Sequence, residues 1–302
     1  MPMSDHVDRY VAIKRALGYS FIDQALVLKR FAAFAAGDEF LNTARVITWA
    51  SLASSQVRSA EWFRVARNFA IAMHAEDERH EIPPRDVFGK ARRLRPPPHI
   101  LAVEDIERVM RRALLLPPTA SLTPYTYYYL FGLLATTGLR VSEATSLVRT
   151  DLGPDGLVIR ETKFHKSRLV PIAASTQSAL AAYLRLRGRI GGADPHVFVL
   201  SNGKPPDHAT VTRTFVKLAR ACGLRSSSGR GPRLHDLRHS FAVRSLERCG
   251  SDRGAVDRHM LALSTYLGHA SIADTYWYLE ATPVLTRQIA LAAEALSAGS
   301  RS

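Results

Sequence analysis

Cysteine is nearly missing from this chain: Cys222 and Cys249 are the two in 302 residues. Two thiols cannot build a disulfide framework, and this pair lacks metal-ligand spacing. No apolar run reaches the roughly 18 residues that a membrane span needs. The opening Met-Pro-Met-Ser-Asp-His lacks the basic-then-apolar layout of a secretory signal. Acidic residues are also scarce, 27 Asp and Glu against 41 Lys and Arg, which leaves a formal charge of +14. These absences argue against a disulfide-stapled secreted module or a membrane partner and lead us to expect a cytoplasmic protein.

The basic surplus suits a polyanion, since duplex DNA presents a charge about every 1.7 Å of axis. Charge alone fits a merely basic protein equally well. Hydrophobic content of 46% and charged content of 23% describe an ordinary globular chain. Its length favours two domains over a single core.

Residues 1–88 read as a helical domain. Phe21, Ala25, Leu28, Phe31 and Ala35 share one helical face, with Gly37 as a stop. A second helix is expected after Asn42 or Thr43, carrying Val46, Ile47 and Trp49. The third is the clearest, with Trp62, Val65, Ala66, Phe69, Ala70 and Met73 at the spacing of a buried stripe and Arg64, Arg67 and Asn68 opposite. His74, Glu76, Glu78, His80 and Glu81 do not match His-Glu-X-X-His and read as a polar helix end. Residues 89–99 read as a linker: prolines oppose a helix there, while Lys90, Arg92, Arg93 and Arg95 attract phosphate.

From 100 to 302 the pattern is mainly helical. Ile106, Val109, Met110 and Ala113 mark an amphipathic helix, and Tyr125 to Ala135 a buried one. Helices are also expected over Ser175–Arg187, over Thr210–Ala221 and from about Leu234 onward. Leu157-Val-Ile and Arg168-Leu-Val-Pro-Ile are β-branched runs that suggest a small sheet with Lys163 near its tip. No internal repeat is evident.

Chemistry-bearing residues crowd into four segments of this half: Ala135-Thr-Thr-Gly-Leu-Arg-Val-Ser-Glu143, Thr162-Lys-Phe-His-Lys-Ser-Arg-Leu-Val-Pro171, Leu234-His-Asp-Leu-Arg-His239 and Tyr266-Leu-Gly-His269, followed by Tyr276 and Tyr278. Arg140 opens a helical stretch, where a cation is disfavoured by the dipole but an anion would meet both guanidinium and free amides. Pairing with Glu143 is the plainer alternative. His235 and Arg238, three apart, share a helix face. His235 and His239, four apart, have the spacing of a metal pair, yet no third ligand stands nearby and Arg238 would repel a cation. Tyr276 and Tyr278 point about 200° apart on a helix, so one cannot replace the other.

In this order the segments resemble the catalytic signature of the tyrosine recombinases, the integrase family that cuts and rejoins DNA through a phosphotyrosine. The resemblance covers about residues 100 to 290 by motif and the N-terminal half by layout. It implies a mainly α fold with a small β-sheet (α+β): a SAM-like core-binding domain and a catalytic domain closing as a C-shaped clamp on duplex DNA, with no arm-binding domain before the first helix. It implies Arg140, Lys163, His235, Arg238, His269 and Tyr278 as catalytic residues, Tyr278 being the nucleophile chosen by the family's His-to-Tyr interval. Arginine forks would hold the phosphate, and Glu143 would orient Arg140. Lys163 is the leaving-group acid by register, although Phe164 and His165 replace a small pair there and leave Lys166 as the alternative. His235 would assist the phenol, His269 would donate to a phosphate oxygen, and Tyr276 and Trp277 would pack. Lys90, Arg92, Arg93, Arg95, Lys166 and Arg168 would contact DNA.

The resemblance further implies no cofactor and no metal, a nucleoid-associated location, and a homo-oligomer on DNA, a tetramer, acting alone or with related recombinases. A terminal stripe of Leu285, Ile289, Ala292 and Leu296 would pass to a neighbouring subunit. Integration or transposition of a mobile element is the expected use. Strand relaxation like that of a type IB topoisomerase, or an accessory DNA-binding role beside a partner recombinase, are the alternatives.

Overall fold

The computed structural model describes residues 1–89, 98–160, 167–190, 194–249, 253–269 and 271–280. The chain divides into two compact units, Met1–Pro96 and Pro97–Ser302, with separate apolar cores. Lys90, Arg92, Arg93 and Arg95, the two lysines Lys163 and Lys166, and the stripe from Leu285 to Leu296 lie outside the described residues.

The first unit holds α1 (Met3–Ala16), α2 (Ile22–Phe34), α3 (Thr43–Ser51) and α4 (Gln56–Glu76). α3 starts where the sequence places it. The Asn42 side chain accepts from the backbone N–H groups of Ala44 and Arg45, donors that the first turn leaves without partners. α4 buries Val65, Ala66, Phe69, Ala70 and Met73 as its period requires. Phe63 joins them, whereas Trp62 stays half-buried and stacks on Trp49 with ring centroids 4.9 Å apart.

Other expectations need correction. α1 precedes the first helix expected from the sequence and buries Met3, Val7, Tyr10 and Val11, a helical spacing set among charged neighbours. α2 ends at Phe34 rather than at Gly37: Ala35 is buried, and Arg45 Nη2 donates to the Phe34 carbonyl at 3.2 Å, satisfying a helix-end acceptor. The segment after α4 is no solvated helix end either. His80 is 3% exposed and its Nδ1 accepts from the Leu41 N–H, His74 Nδ1 donates to the His80 carbonyl, and the Glu81 carboxylate accepts from the Thr43 N–H. Together they strap the chain onto the start of α3.

The second unit holds α5 (Val103–Ala113), α6 (Leu122–Thr137), α7 (Val141–Thr145), α8 (Ala174–Ile190), α9 (His208–Ala221), α10 (Asp236–Glu247), α11 (Arg253–Leu267) and α12 (Ala273–Glu280). Strands β1 (Leu152–Gly153), β2 (Gly156–Ile159) and β3 (Arg168–Val170) form an antiparallel sheet in that order, so the fold is mainly α with a small sheet, as expected. Leu157 pairs with Val170 and Ile159 with Arg168, and Leu157, Ile159 and Val170 are buried. Among the described residues no helix is long and apolar enough to cross a membrane.

α6 is the pillar of this unit, burying Tyr127, Leu130, Phe131, Leu133 and Leu134 on several sides. It stops at Gly138, whose φ of +62° is the left-handed conformation that caps helices. A Cβ there would sit 2.6 Å from Phe241 Cδ1 on α10. The glycine thus turns the chain toward Arg140 and lets α10 pack close.

Gly138→Ala should therefore destabilise the protein by about 1–2 kcal/mol from the left-handed backbone alone, and more from the clash. Gly188→Ala, in α8 with open space around it, should instead stabilise by up to about 1 kcal/mol. Urea unfolding of the two variants checks the contrast; equal effects would remove the special role of Gly138.

Candidate active site

The start of α7, strand β3, the first turn of α10 and the α11–α12 region bring Arg140, Glu143, Arg168, His235, Arg238, His269 and Tyr278 together. Arg140 is the N-cap of α7, and Glu143 stands in its first turn. The Glu143 carboxylate accepts from the Arg140 backbone N–H at 2.9 Å and from its Nη1 at 2.8 Å. The same carboxylate accepts from Arg168 Nη1 at 3.1 Å and Nη2 at 2.9 Å. Burial works to raise its pKa, yet the two arginines prevail and hold it below the ordinary carboxylate value.

Each guanidinium is also gripped by main chain. Arg140 Nη2 donates to the Gly268 carbonyl at 2.8 Å, and Arg168 Nε to the Tyr266 carbonyl at 2.8 Å. Arg238, 3% exposed, donates from Nη1 to the Gly138 carbonyl at 2.7 Å and from Nη2 to the Leu267 carbonyl at 2.8 Å. Gly268 has φ +66°, and a Cβ there would fall 2.6 Å from Arg168 Nη1, so glycine is what lets that guanidinium pass. Arg168, expected on DNA, has its donors turned to Glu143 and Tyr266 and is 12% exposed at its side chain. Burial, followed by the nearby Arg140 charge, lowers the Arg238 pKa to about 10, leaving it cationic at neutral pH. Positive groups that depress one another in this way mark a site ready for an anion.

Tyr278 on α12 is 2% exposed and lies in a small core with Val243, Leu246, Met260, Leu263 and Leu267. Burial raises its phenol pKa, and the charge and hydrogen bonding of Arg238 pull in the opposite direction. The His269 ring lies nearly parallel to the phenol at 6.1 Å, and its Nδ1 shares a 2.6 Å hydrogen bond with Thr275 Oγ1. Trp277 packs against His239 at 5.0 Å, as a packing residue should. Tyr276 does not pack: it is 45% exposed, because residues two apart on a helix face opposite sides.

The histidine that touches the phenol is His239, with Nδ1 3.1 Å from Tyr278 Oη, not His235 as expected. His235 is the N-cap of α10, one turn earlier, and its ring meets that of His239 edge-on at 4.5 Å. The sequence carried a signal for His239, four residues after His235 on the same helical face, but that spacing was weighed only for a metal site and set aside. Among the described residues no group of three or more His, Cys, Asp or Glu side chains is placed to hold a metal ion.

Burial depresses all three histidine pKa values, His235 to about 4, His239 to about 3 and His269 to about 4, with neighbouring cationic groups adding to it. His235 is open to solvent, which moderates its share. Unfolded histidine titrates near 6.5, so the unfolded chain takes up protons first as pH falls. The stabilisation is complete above that value and is lost as pH drops toward the folded values. Urea unfolding of the free protein should show stability falling from about pH 7 to about pH 4.5, on the order of a few kcal/mol in all. A flat profile would mean that the histidines are solvated in the folded state.

Comparison with known proteins gives the family. The model of the phage integrase family matches residues 101–283. A protein of Sinorhizobium fredii described as an integrase/recombinase is 38% identical over 297 residues, covering 93% of this chain and 94% of its own length. The tyrosine recombinase XerC of Chromohalobacter salexigens is 31% identical over 251 residues, covering 79% and 80% respectively. Among solved structures, a lambda integrase dimer bound to a COC′ core site superposes with a TM-score of 0.69 over 94% of this chain and 97% of that one; at 16% identity this is a likeness of fold. The chain belongs to the phage integrase family and is a tyrosine recombinase, an enzyme that transfers DNA strands through a tyrosine.

Proposed function

We propose that this recombinase uses Tyr278 to open specific duplex sites and rejoin them to new partners, moving a mobile element by integration or transposition. The observation that carries the reading is the meeting of one buried phenol with Arg238, His239 and His269 beside the Arg140–Glu143–Arg168 array. In this reading the scissile phosphate lies against Arg140 and Arg238, whose fixed donors stabilise charge on its non-bridging oxygens. Tyr278 Oη attacks phosphorus and the bond to the 5′ oxygen breaks, giving a 3′-phosphotyrosine and a free 5′-hydroxyl. The hydroxyl of a partner strand reverses the step, so the bond energy is conserved.

Lys163, on the chain between β2 and β3, is proposed as the acid that protonates the 5′ oxygen, with His235 and His269 supporting the phosphate. Lys90, Arg92, Arg93, Arg95 and Lys166 are proposed DNA contacts, consistent with the +14 charge. Strand exchange needs several sites at once, which supports a tetramer on duplex DNA linked by the terminal stripe of Leu285, Ile289, Ala292 and Leu296. The lambda integrase relative is itself a dimer on its core site.

Sequencing of DNA trapped covalently on the purified protein tests the reading. A recurrent site joined through its 3′ phosphate is expected, and random or absent adducts would refute it. Tyr278→Phe should abolish adducts while leaving affinity within about twofold, because phosphate contacts dominate binding. Tyr276→Phe should change neither; loss of adducts there instead would reassign the nucleophile.

Lys163→Ala should cleave a 5′-bridging phosphorothioate far better than ordinary DNA, because a thiol titrates near 8.5 and leaves without protonation. Arg238→Ala should gain nothing from the sulfur. Equal defects of Lys163→Ala on both substrates would move the acid to Lys166 or elsewhere.

A further inference from the structure

The phenol of a tyrosine nucleophile carries a proton that must go somewhere as the bond to phosphorus forms. We infer that His239 takes it, on the Nδ1 atom that already lies 3.1 Å from Tyr278 Oη. The inference rests on the reading that Tyr278 is the nucleophile and adds a catalytic residue to it.

Geometry supports it first. His239 sits on the first turn of α10, one residue past Arg238, and is 8% exposed. Its ring is fixed between those of His235 at 4.5 Å and Trp277 at 5.0 Å, both steeply inclined to it, and lies 5.4 Å from the Tyr278 ring. A ring so packed keeps one orientation, and that orientation presents Nδ1 to the phenol oxygen. Burial and the adjoining His235 hold the imidazole neutral. A neutral ring can keep its hydrogen on Nε2 and offer a bare Nδ1, so the phenol donates and the histidine accepts.

The low basicity of this imidazole in the free protein does not prevent the transfer. Once Oη begins to bond to phosphorus, the proton it still carries becomes far more acidic than that of a phenol. The incoming phosphodiester also brings negative charge, which favours a cationic ring nearby. The step then balances. The Oη–P bond forms, the P–O5′ bond breaks with its electrons leaving on O5′, the acid protonates O5′, and the phenolic proton passes to Nδ1. In the rejoining step the entering hydroxyl gives its proton back to the group that had protonated O5′, its oxygen bonds to phosphorus as the P–Oη bond breaks, and the His239 imidazolium returns a proton to the phenolate. His235, at the N-cap and open to solvent, remains beside the phosphate-binding arginines.

The test uses the full chain and the duplex recovered from wild-type adducts, with tyrosine or 2,3-difluorotyrosine at position 278. Ring fluorination lowers the phenol pKa and lessens the need for a base. His239→Phe keeps an aromatic ring in the packing and removes the nitrogens. His239→Asn leaves an acceptor oxygen near the Nδ1 position that cannot carry the proton away. Both variants should bind the duplex with wild-type affinity and form adducts about 100-fold more slowly in single turnover, the usual scale for a lost proton acceptor. Difluorotyrosine should recover about tenfold or more in each variant and change the wild-type rate by less than about threefold.

A variant that cleaves within about threefold of wild type would overturn the inference. So would a slow variant with the same deficit for both tyrosines, and a His239→Asn variant that keeps the wild-type rate with ordinary tyrosine while His239→Phe does not would reduce His239 to a positioning residue. Whether the wild-type protein forms adducts at all tests the nucleophile; the pattern among the variants tests His239 alone.

Discussion

Three guanidiniums, those of Arg140, Arg168 and Arg238, share the site with Glu143, a buried carboxylate that holds two of them. That inequality governs the rest of the arrangement. Glu143 fixes the start of α7 through the Arg140 N–H and ties it to the start of β3 through Arg168, so a helix and a sheet meet at one side chain. Removing it would leave two neighbouring cations uncompensated, a greater cost than the loss of an ion pair at the surface. Arg238 rests instead on neutral carbonyls, and its charge stays available for a phosphate oxygen.

Tyr278, the proposed nucleophile, stands in contrast to this wall. Tyr278 belongs to an apolar cluster, and its burial opposes ionisation while Arg238 favours it. Burial prevails, and the phenol is favoured in its protonated form in the free protein. His269, in the connection between α11 and α12, and His239 on α10 flank it, so shifting α12 alone would change both contacts together.

Much of this was legible in the sequence because the chemistry dictates local residue choice. An arginine after Thr-Gly-Leu needs the left-handed glycine that ends α6, and a histidine after Leu-Gly needs the glycine beside Arg168. The start of α3 was legible from a capping asparagine, and the buried face of α4 from a 3.6-residue period. What escaped depends on three dimensions. α1 shows only a sparse apolar stripe. Arg168 reads as one more basic residue until Glu143 is seen across from it. The His239 contact arises from the angle at which α12 crosses α10, which no spacing along the chain records.

The main-chain carbonyls of Gly138, Tyr266, Leu267 and Gly268 receive the arginine donors. An amide oxygen is the same whatever side chain follows it, so these anchors belong to the path of the backbone and not to residue identity. The side chains at these positions can therefore vary without loosening the grip on the arginines, except at Gly138 and Gly268, whose positive φ sets that path.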